Sequence, residues 1–157
     1  AGTILNEVRK AAEMLAEKEV AADVWSVTSF NELRREAMAI ERYNRLHPEQ
    51  KPQQSYVERM LSETEGVIIA ASDYMGMYAE QIRPYLNKRR YVVLGTDGFG
   101  RSDTRAQLRH FFEVDAKSIA YATMKALFDE DLITLDQLKK SAAEWGIHSH
   151  KANPAEV

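Results

Sequence analysis

Apolar positions in this chain recur at two spacings, and the two alternate along the sequence. Near the start, Ile4, Val8 and Leu15 fall on one face of a helix, with polar residues between them. Residues 66–71 form an apolar run without alternation, which is typical of a strand covered on both faces. Applied to the whole chain, these patterns predict helices over 3–18, 32–44, 56–63, 73–86, 104–112, from Asp115 onward and over 135–146, and strands over 23–29, 66–71 and 91–94.

Capping residues mark where several of these helices begin. We predict N-caps at Thr3, Asn31, Asp73 and Asp115, because short polar side chains accept hydrogen bonds from the first free amides of a helix. Thr104 stands three residues before a glutamine, which is the spacing of a capping box. The local signals therefore agree with the hydrophobic pattern.

Strands separated by helices predict an α/β fold, with a mostly parallel sheet and helices on both faces. Residues 48–55 are polar and contain two prolines, so they read as a surface loop within one domain, 1–157. Ala1-Gly2-Thr3 resembles the end of a strand-to-helix turn, and three strands make a thin sheet. We therefore expect at least one further strand upstream of this chain.

Composition narrows the class of protein. The 157 residues are 45% hydrophobic and 29% charged, as in soluble globular domains, and the net charge of -3 argues against a dedicated nucleic-acid binder. No apolar run is long enough to cross a membrane. Cysteine is absent, which excludes disulfides, thiolate metal sites and a cysteine nucleophile. A cytoplasmic location is the simplest interpretation.

The loop after the third predicted strand is the main candidate site. Gly95, Gly98 and Gly100 match neither common nucleotide-binding spacing. Three interpretations remain open: the glycines supply positive φ while neighbouring residues cap the next helix, the loop faces a partner or another domain, or it binds a small molecule. Arg101 and Arg105 would favour a phosphate, whereas Asp97 and Asp103 would repel one.

Other side chains with potential chemistry form no recognisable catalytic constellation. His148 and His150 lack the helical spacing of metal ligands and read as a solvated tail, and no serine lies in a G-x-S-x-G turn. Arg34-Arg35 is too short for a nucleic-acid patch. The run Tyr74–Tyr78 is interpreted as core and interface packing rather than as an adaptable binding face. Gly76 within it suggests a close approach of backbone to a neighbour.

Four runs together carry a family resemblance. They are Asp23–Arg35, Glu41–Pro48, Ser72–Met75 with Ala79–Arg83, and Leu94–Asp103 followed by Phe112–Asp115. They resemble the C-terminal domain of the single-chain, homodimeric pyruvate dehydrogenases, the thiamine-diphosphate-dependent first component of the bacterial pyruvate dehydrogenase complex. The resemblance covers nearly the whole chain.

This resemblance implies a transketolase-type C-terminal fold, a three-layer α/β/α domain with five strands. The first two strands precede this chain, and one of them lies between the strands at 24–28 and 67–71. In such enzymes thiamine diphosphate and Mg²⁺ bind between two upstream domains, pyruvate is decarboxylated, and the acetyl unit passes to a lipoyl group on the acetyltransferase component. The G-D-G motif with paired asparagines that binds the cofactor is absent here, and Asp97-Gly98 resembles it only superficially. No catalytic, cofactor-binding or metal-binding residue is therefore assigned.

Two functional hypotheses follow. In the first, the chain is a structural and dimerisation domain, and the 95–105 loop packs on the upstream domains or the second subunit. Its candidate interface residues are Asp97, Gly98, Gly100, Arg101, Ser102 and Asp103. In the second, the chain is a stand-alone regulatory module that binds a small ligand through the same loop. Neither hypothesis involves a nucleic acid or a membrane.

Overall fold

Helices and short strands alternate along the chain. The computed structural model describes residues 2–157. Its helices are α1 (Leu5–Ala16), α2 (Phe30–Leu46), α3 (Tyr56–Leu61), α4 (Gly76–Glu80), α5 (Arg105–Phe111), α6 (Ala116–Asp129) and α7 (Leu135–Glu144). Its strands are β1 (Ile68–Ala71) and β2 (Tyr91–Leu94), and 3₁₀ turns occupy Gly2–Ile4 and Arg83–Tyr85.

The two strands form a parallel pair. Ile68 lies opposite Tyr91 and Ala71 opposite Leu94. The chain leaves β1, passes through α4 and returns to β2, which is the crossover that parallel strands require. The predicted parallel sheet is confirmed for these two strands.

Both faces of this sheet carry packed helices. Ile69 and Ala71 belong to one apolar cluster, whereas Ile68 and Ala70 belong to another. Because successive residues of a strand point to opposite faces, the two clusters lie on opposite sides of the sheet. This arrangement confirms the predicted α/β fold with covered faces.

The larger cluster is formed mainly by α1, α6 and α7 against one face of the sheet. Its buried members are Ile4, Ala11, Leu15, Ala71, Val114, Ala116, Ile119, Ala120, Met124, Leu138 and Trp145. The predicted helical periodicity of the first segment is confirmed here, since Ile4, Ala11 and Leu15 all reach this core.

The smaller cluster centres on Tyr91 at the start of β2. Its buried members are Val57, Ile82, Leu86 and Tyr91. The Tyr91 hydroxyl donates a hydrogen bond of 2.8 Å to the Ala79 carbonyl, and the Arg83 guanidinium lies 5.0 Å from the Tyr91 ring centroid. Burial raises the pKa of Tyr91 well above its ordinary value, so the hydroxyl remains a donor. This side of the sheet is thus fixed by a buried tyrosine.

The strand predicted over 23–29 is wrong. Among residues 2–157, this segment has no regular secondary structure, and Val24 and Trp25 are 41% and 46% exposed. A β-branched sequence favours extended backbone, but a strand also needs a neighbour for its amides and carbonyls. Within the described residues β1 pairs only with β2, so the segment has no such neighbour.

The predicted helix over 73–86 is also corrected. The structure has only the five-residue α4 and a 3₁₀ turn that contains Pro84, which lacks the amide hydrogen an α-helix needs. Asp73 does not cap α4, because the helix begins three residues later, at Gly76. No helix in residues 2–157 is long and apolar enough to span a membrane.

The other predicted caps divide evenly. Thr104 and Asp115 cap α5 and α6 by accepting from the amides of Gln107 and Ser118, as predicted. The predicted capping box is only half formed, since the Thr104 amide donates to Asp103 and not to the Gln107 side chain. The predicted caps at Thr3 and Asn31 are wrong, since Ser29 caps α2 and α1 has no side-chain cap. In both failures the helix begins at a different residue from the predicted one, and a cap must stand immediately before it.

Candidate functional site

The end of β2 and the start of α4 approach each other at backbone distance. A side-chain Cβ at Gly95 would lie 2.5 Å from the Gly76 nitrogen and 2.8 Å from the Tyr74 oxygen. The Thr96 amide also donates to the Tyr74 carbonyl at 3.0 Å. Gly95 is therefore required by space. A Cβ at Gly76 would lie 3.0 Å from the Asp97 carboxylate, so this position is tightly packed and the close approach expected at Gly76 is confirmed.

Asp97 closes this junction. Both of its carboxylate oxygens accept from the Gly76 amide, at 3.2 and 3.3 Å. That amide is at the first position of α4, where no carbonyl of the helix can reach it. The structure therefore places Asp97 as a cap for α4 within the chain.

Gly98 is fixed from the other side by the C-terminal segment. Its φ is +129°, and a Cβ there would lie 2.4 Å from the Pro154 carbonyl oxygen. Gly95 and Gly100 do not have positive φ. The prediction that the loop glycines supply positive φ is thus confirmed at Gly98 and wrong at the other two positions, of which Gly95 is instead needed for space.

Phe99 is the residue that sequence reasoning missed. Its side chain is 78% exposed, more than any other large apolar side chain in residues 2–157. Gly100 beside it has open space where a side chain would be. An aromatic residue between two glycines in a polar loop was the available signal. Phe99 follows two residues that contact other parts of the chain, since Asp97 accepts from the Gly76 amide and Gly98 packs against Pro154.

The second half of the loop turns back onto α5. The Arg101 guanidinium lies 4.1 Å from the Phe111 ring centroid, a cation–π contact. Asp103 accepts from the Thr104 amide at 2.7 Å. Ser102 lies between these two residues and lines an open cleft of about 380 Å³. The candidate residues Arg101, Ser102 and Asp103 therefore do come together.

Lys151 forms the far wall of that cleft. Its ammonium donates to the carbonyls of His110 and Phe111 in the last turn of α5, and it lies 3.7 Å from Glu113. A cation at a helix C-terminus is stabilised by the carbonyls that the helix leaves free. The C-terminal segment thus holds both α5 and, through Pro154, the glycine loop.

The two strands, the glycine loop and α5 lie within the part of the sequence that matches a known family, whereas Lys151 and Pro154 lie outside it. Residues 1–115 match the transketolase-like TK C-terminal domain. The chain belongs to this family. The matched region contains both strands and the whole glycine loop, so the parallel sheet and the loop are features of a transketolase-like C-terminal domain.

Several bacterial pyruvate dehydrogenase E1 components are similar to this transketolase-like domain over nearly its whole length. The Pseudomonas aeruginosa protein is 53% identical over 154 residues, which are 98% of this chain and 18% of that protein. The Cupriavidus necator protein is 48% identical over 157 residues, 99% of this chain and 17% of that protein. The Escherichia coli K12 protein is 44% identical over 154 residues. The chain spans less than a fifth of the length of these relatives.

The described residues of this transketolase-like domain do not fit a thiamine diphosphate and Mg²⁺ site. Asp97-Gly98 is the part of the glycine loop that resembles the cofactor motif, but both Asp97 oxygens accept from the Gly76 amide, and Gly98 is covered by Pro154. Residues 2–157 contain no group of three histidine, aspartate or glutamate side chains placed to hold a metal ion.

The histidines are placed individually. His148 and His150 are exposed, while His47 stacks on Tyr43 with ring centroids 4.1 Å apart. His110 is half-exposed, and its Nδ1 lies 3.1 Å from the Asp115 carboxylate. Each of these histidines therefore lies in a separate local environment, and no two of them belong to a common metal-binding group in residues 2–157.

A buried ion pair below the loop was not predicted. Glu7 is 8% exposed, its Oε1 lies 3.1 Å from Arg109, and its Oε2 accepts from the Ala116 amide at 2.9 Å. One carboxylate thereby joins α1, α5 and the first turn of α6. No local pattern indicates this contact, because the partners stand more than a hundred residues apart in sequence.

Proposed function

We propose that this chain is the C-terminal structural and dimerisation domain of a pyruvate dehydrogenase E1-type enzyme, and that its 95–105 loop contacts the upstream domains or the second subunit. The observation that carries the proposal is Phe99, a highly exposed aromatic side chain on a loop anchored at Asp97 and Gly98. Large apolar side chains that are exposed together on one surface are typical of a contact surface, and aromatic residues contribute strongly to binding at such surfaces.

A second exposed apolar group lies across the Asp97 junction. Tyr74, Met75 and Met77 are 58%, 44% and 65% exposed, although they flank the buried Gly76. The run Tyr74–Tyr78 was expected to serve in core and interface packing; these three side chains do not lie in the core of this chain, and their role in an interface stays a prediction. Placed beside a loop that carries Phe99, they support a contact surface larger than the loop alone.

The loop residues divide into two roles in this proposal. Asp97 and Gly98 hold the loop, while Phe99, Ser102 and the free edges of Arg101 and Asp103 contact the partner. Arg101 keeps guanidinium donors available while its plane rests on Phe111. Phe99 is thereby added to the six candidate interface residues predicted from the sequence.

The whole enzyme's activity is part of the proposal. In it, a cytoplasmic, homodimeric enzyme decarboxylates pyruvate with thiamine diphosphate and Mg²⁺ held in upstream domains, and transfers acetyl to a lipoyl-bearing acetyltransferase partner. Similarity to E1 components over nearly the whole chain supports this. Catalytic steps are placed outside the chain, and the isolated domain is inactive.

A chimera tests the proposal directly. This chain would replace the matched segment of the Pseudomonas aeruginosa E1 component, and pyruvate decarboxylation and dimer dissociation would be measured. We expect an active dimer, which a Phe99→Ser, Met77→Ser double variant weakens by at least about ten-fold in dimer affinity or activity. A matched double variant at exposed apolar residues elsewhere, Leu132→Ser with Leu135→Ser, should leave both unchanged. Equal behaviour of the two pairs would contradict the proposal.

The regulatory-module alternative has one observation in its favour, the cleft between Arg101 and Lys151. Both cations already have internal contacts, on Phe111 and on the α5 carbonyls, and Asp103 opposes an anion there. A thermal-shift screen of the isolated chain with nucleotides and inorganic phosphate separates the two functions. A saturable shift that Arg101→Ala abolishes would favour the module.

A further inference from the structure

Helix α2 presents a stripe of arginines to solvent. Arg34, Arg42 and Arg45 lie with Arg35 along one helical face, and Met38 stands at the centre of the stripe, 45% exposed. These side chains line an open groove of about 630 Å³. Arg34 and Arg35 are adjacent in sequence, whereas Arg42 and Arg45 join them on one face only because of the helical repeat.

The glutamates of the same helix offset this stripe only in part, and of the three only Glu41 lines the groove. Glu36 accepts from the Tyr56 amide at 2.9 Å, and Glu41 accepts from the Tyr85 hydroxyl at 3.2 Å. Glu32 pairs only with Arg35, at 3.5 Å and with both side chains well exposed.

Within residues 2–157, Arg34, Arg42 and Arg45 have no carboxylate at ion-pair distance. The chain as a whole carries a net charge of -3, whereas the groove is lined by four arginines and one carboxylate, that of Glu41, so the sign of the charge is reversed locally. A groove of this kind attracts anionic groups from solution.

The helix itself needs little of this surface for folding. Of its seventeen residues only Ala37 is buried, while Phe30 and Leu33 pack on the smaller core from the opposite side. The groove face of α2 is therefore not buried by the other described residues of this chain.

The chemistry of the groove favours a protein segment over a nucleic acid. Arginine binds carboxylates through two parallel hydrogen bonds, and methionine adapts to apolar side chains of different shapes. Single-stranded nucleic acids bind to surfaces that also offer aromatic rings for stacking, and the stripe has none.

We propose that the Arg34–Arg45 face of α2 is a docking surface for an acidic protein segment, whose carboxylates pair with the arginines and whose one apolar side chain rests on Met38. The surface lies on α2, away from the 95–105 loop in sequence, and the proposal does not depend on the function assigned to that loop.

Fluorescence anisotropy with the 157-residue chain tests this surface. The probe is a fluorescein-labelled peptide of about twelve residues, glutamates with one central leucine. We expect saturable binding that weakens as salt rises from about 50 to about 300 mM. Arg34→Glu with Arg42→Glu should weaken binding at least about ten-fold, and Met38→Gln by a smaller factor.

Matched variants keep the result specific. Arg9→Glu with Lys139→Glu makes the same charge change at exposed residues of α1 and α7 and should bind as the unaltered chain does. Arg34→Gln with Arg42→Gln neutralises the two charges instead of reversing them. It gives the same test if the Arg34→Glu, Arg42→Glu variant fails to fold. A peptide with glutamine in place of glutamate should bind at least about ten-fold more weakly than the acidic peptide. A peptide with serine in place of leucine should bind about three-fold more weakly.

Four outcomes would overturn the proposal. They are no saturable binding, equal weakening in the Arg9, Lys139 pair, equal binding of the glutamine peptide, and tighter binding of single-stranded DNA than of the acidic peptide. Sedimentation velocity supplies a further one: a self-associated chain that Arg34→Glu, Arg42→Glu makes monomeric would assign the face to a second copy instead.

Discussion

The two carboxylate oxygens of Asp97 lie 3.2 and 3.3 Å from the amide nitrogen of Gly76. This contact joins the loop after β2 to the first turn after β1, across twenty-one residues of sequence. A helix as short as α4 has few hydrogen bonds of its own, so an external acceptor at its start contributes much of its order.

Asp97→Ala is expected to lower the free energy of unfolding by about 1 kcal/mol, the usual effect of losing a helix cap. Asp97→Asn keeps an acceptor oxygen and should lose less than half as much. Urea unfolding followed by circular dichroism measures both. Asp23→Ala removes the same charge from an exposed residue and should be neutral, so equal losses at the two positions would contradict the capping role.

Gly98→Ala should destabilise the chain by about 1–3 kcal/mol, because alanine is strained at a φ of +129° and its Cβ would meet the Pro154 carbonyl. Gly100→Ala is the control, with open space and no positive φ, and should stay within about 0.5 kcal/mol. Thermal unfolding compares the two.

Removal of residues 154–157 separates the two causes at Gly98. In the shortened chain the contact with Pro154 is gone, while the backbone strain remains. The loss caused by Gly98→Ala should therefore be smaller than in the full chain but not zero. An unchanged loss would show that the C-terminal segment does not constrain the loop.

The sequence predicted those parts of the fold that depend on neighbouring residues. The apolar run at 66–71 is long enough to identify a buried strand, and Thr104 and Asp115 cap helices through amides three residues away. Each signal is complete within a short window, which is why the parallel sheet and most helices follow from the pattern.

The failures share a different cause, dependence on distant residues. The segment 23–29 has strand-forming side chains but no strand beside it among residues 2–157. The contact between Asp97 and the Gly76 amide could not be predicted, because the two residues are far apart in sequence. The role of Asp97 in an interface stays a prediction. Phe99 was overlooked because exposure is a property of the folded surface, not of composition.

The buried pair of Glu7 and Arg109 gives a prediction about coupling. Glu7→Gln should cost less than Glu7→Ala, since glutamine still accepts from the Ala116 amide. Alanine leaves that amide without an acceptor and leaves Arg109 with only the Thr3 hydroxyl. A double-mutant cycle with Arg109→Met should give a coupling energy of about 1–3 kcal/mol. The cycle uses chemical denaturation of all four variants at one pH.

Lys10 provides the comparison for this cycle. It lies 3.6 Å from the same Glu7 carboxylate, but its side chain is 65% exposed, against 18% for Arg109. Exposed ion pairs contribute little, so the Glu7–Lys10 coupling should be under about 0.5 kcal/mol. Equal couplings for Lys10 and Arg109 would show that burial does not strengthen the pair.

Asp115 predicts how stability depends on pH in the acid range. Burial raises the pKa of this carboxyl, but hydrogen bonds from Ser118 and the contact with His110 outweigh it, so its folded pKa lies below the ordinary 3.8. The unfolded chain then binds the proton more readily, and the free energy of unfolding falls as the pH drops through 3.8 towards the folded pKa. Asp115→Asn should lower stability at neutral pH and flatten this decline between about pH 5 and pH 2, measured by urea unfolding at each pH. Asp23→Asn should leave the decline intact, and a decline that persists unchanged in Asp115→Asn would assign it to other carboxyl groups.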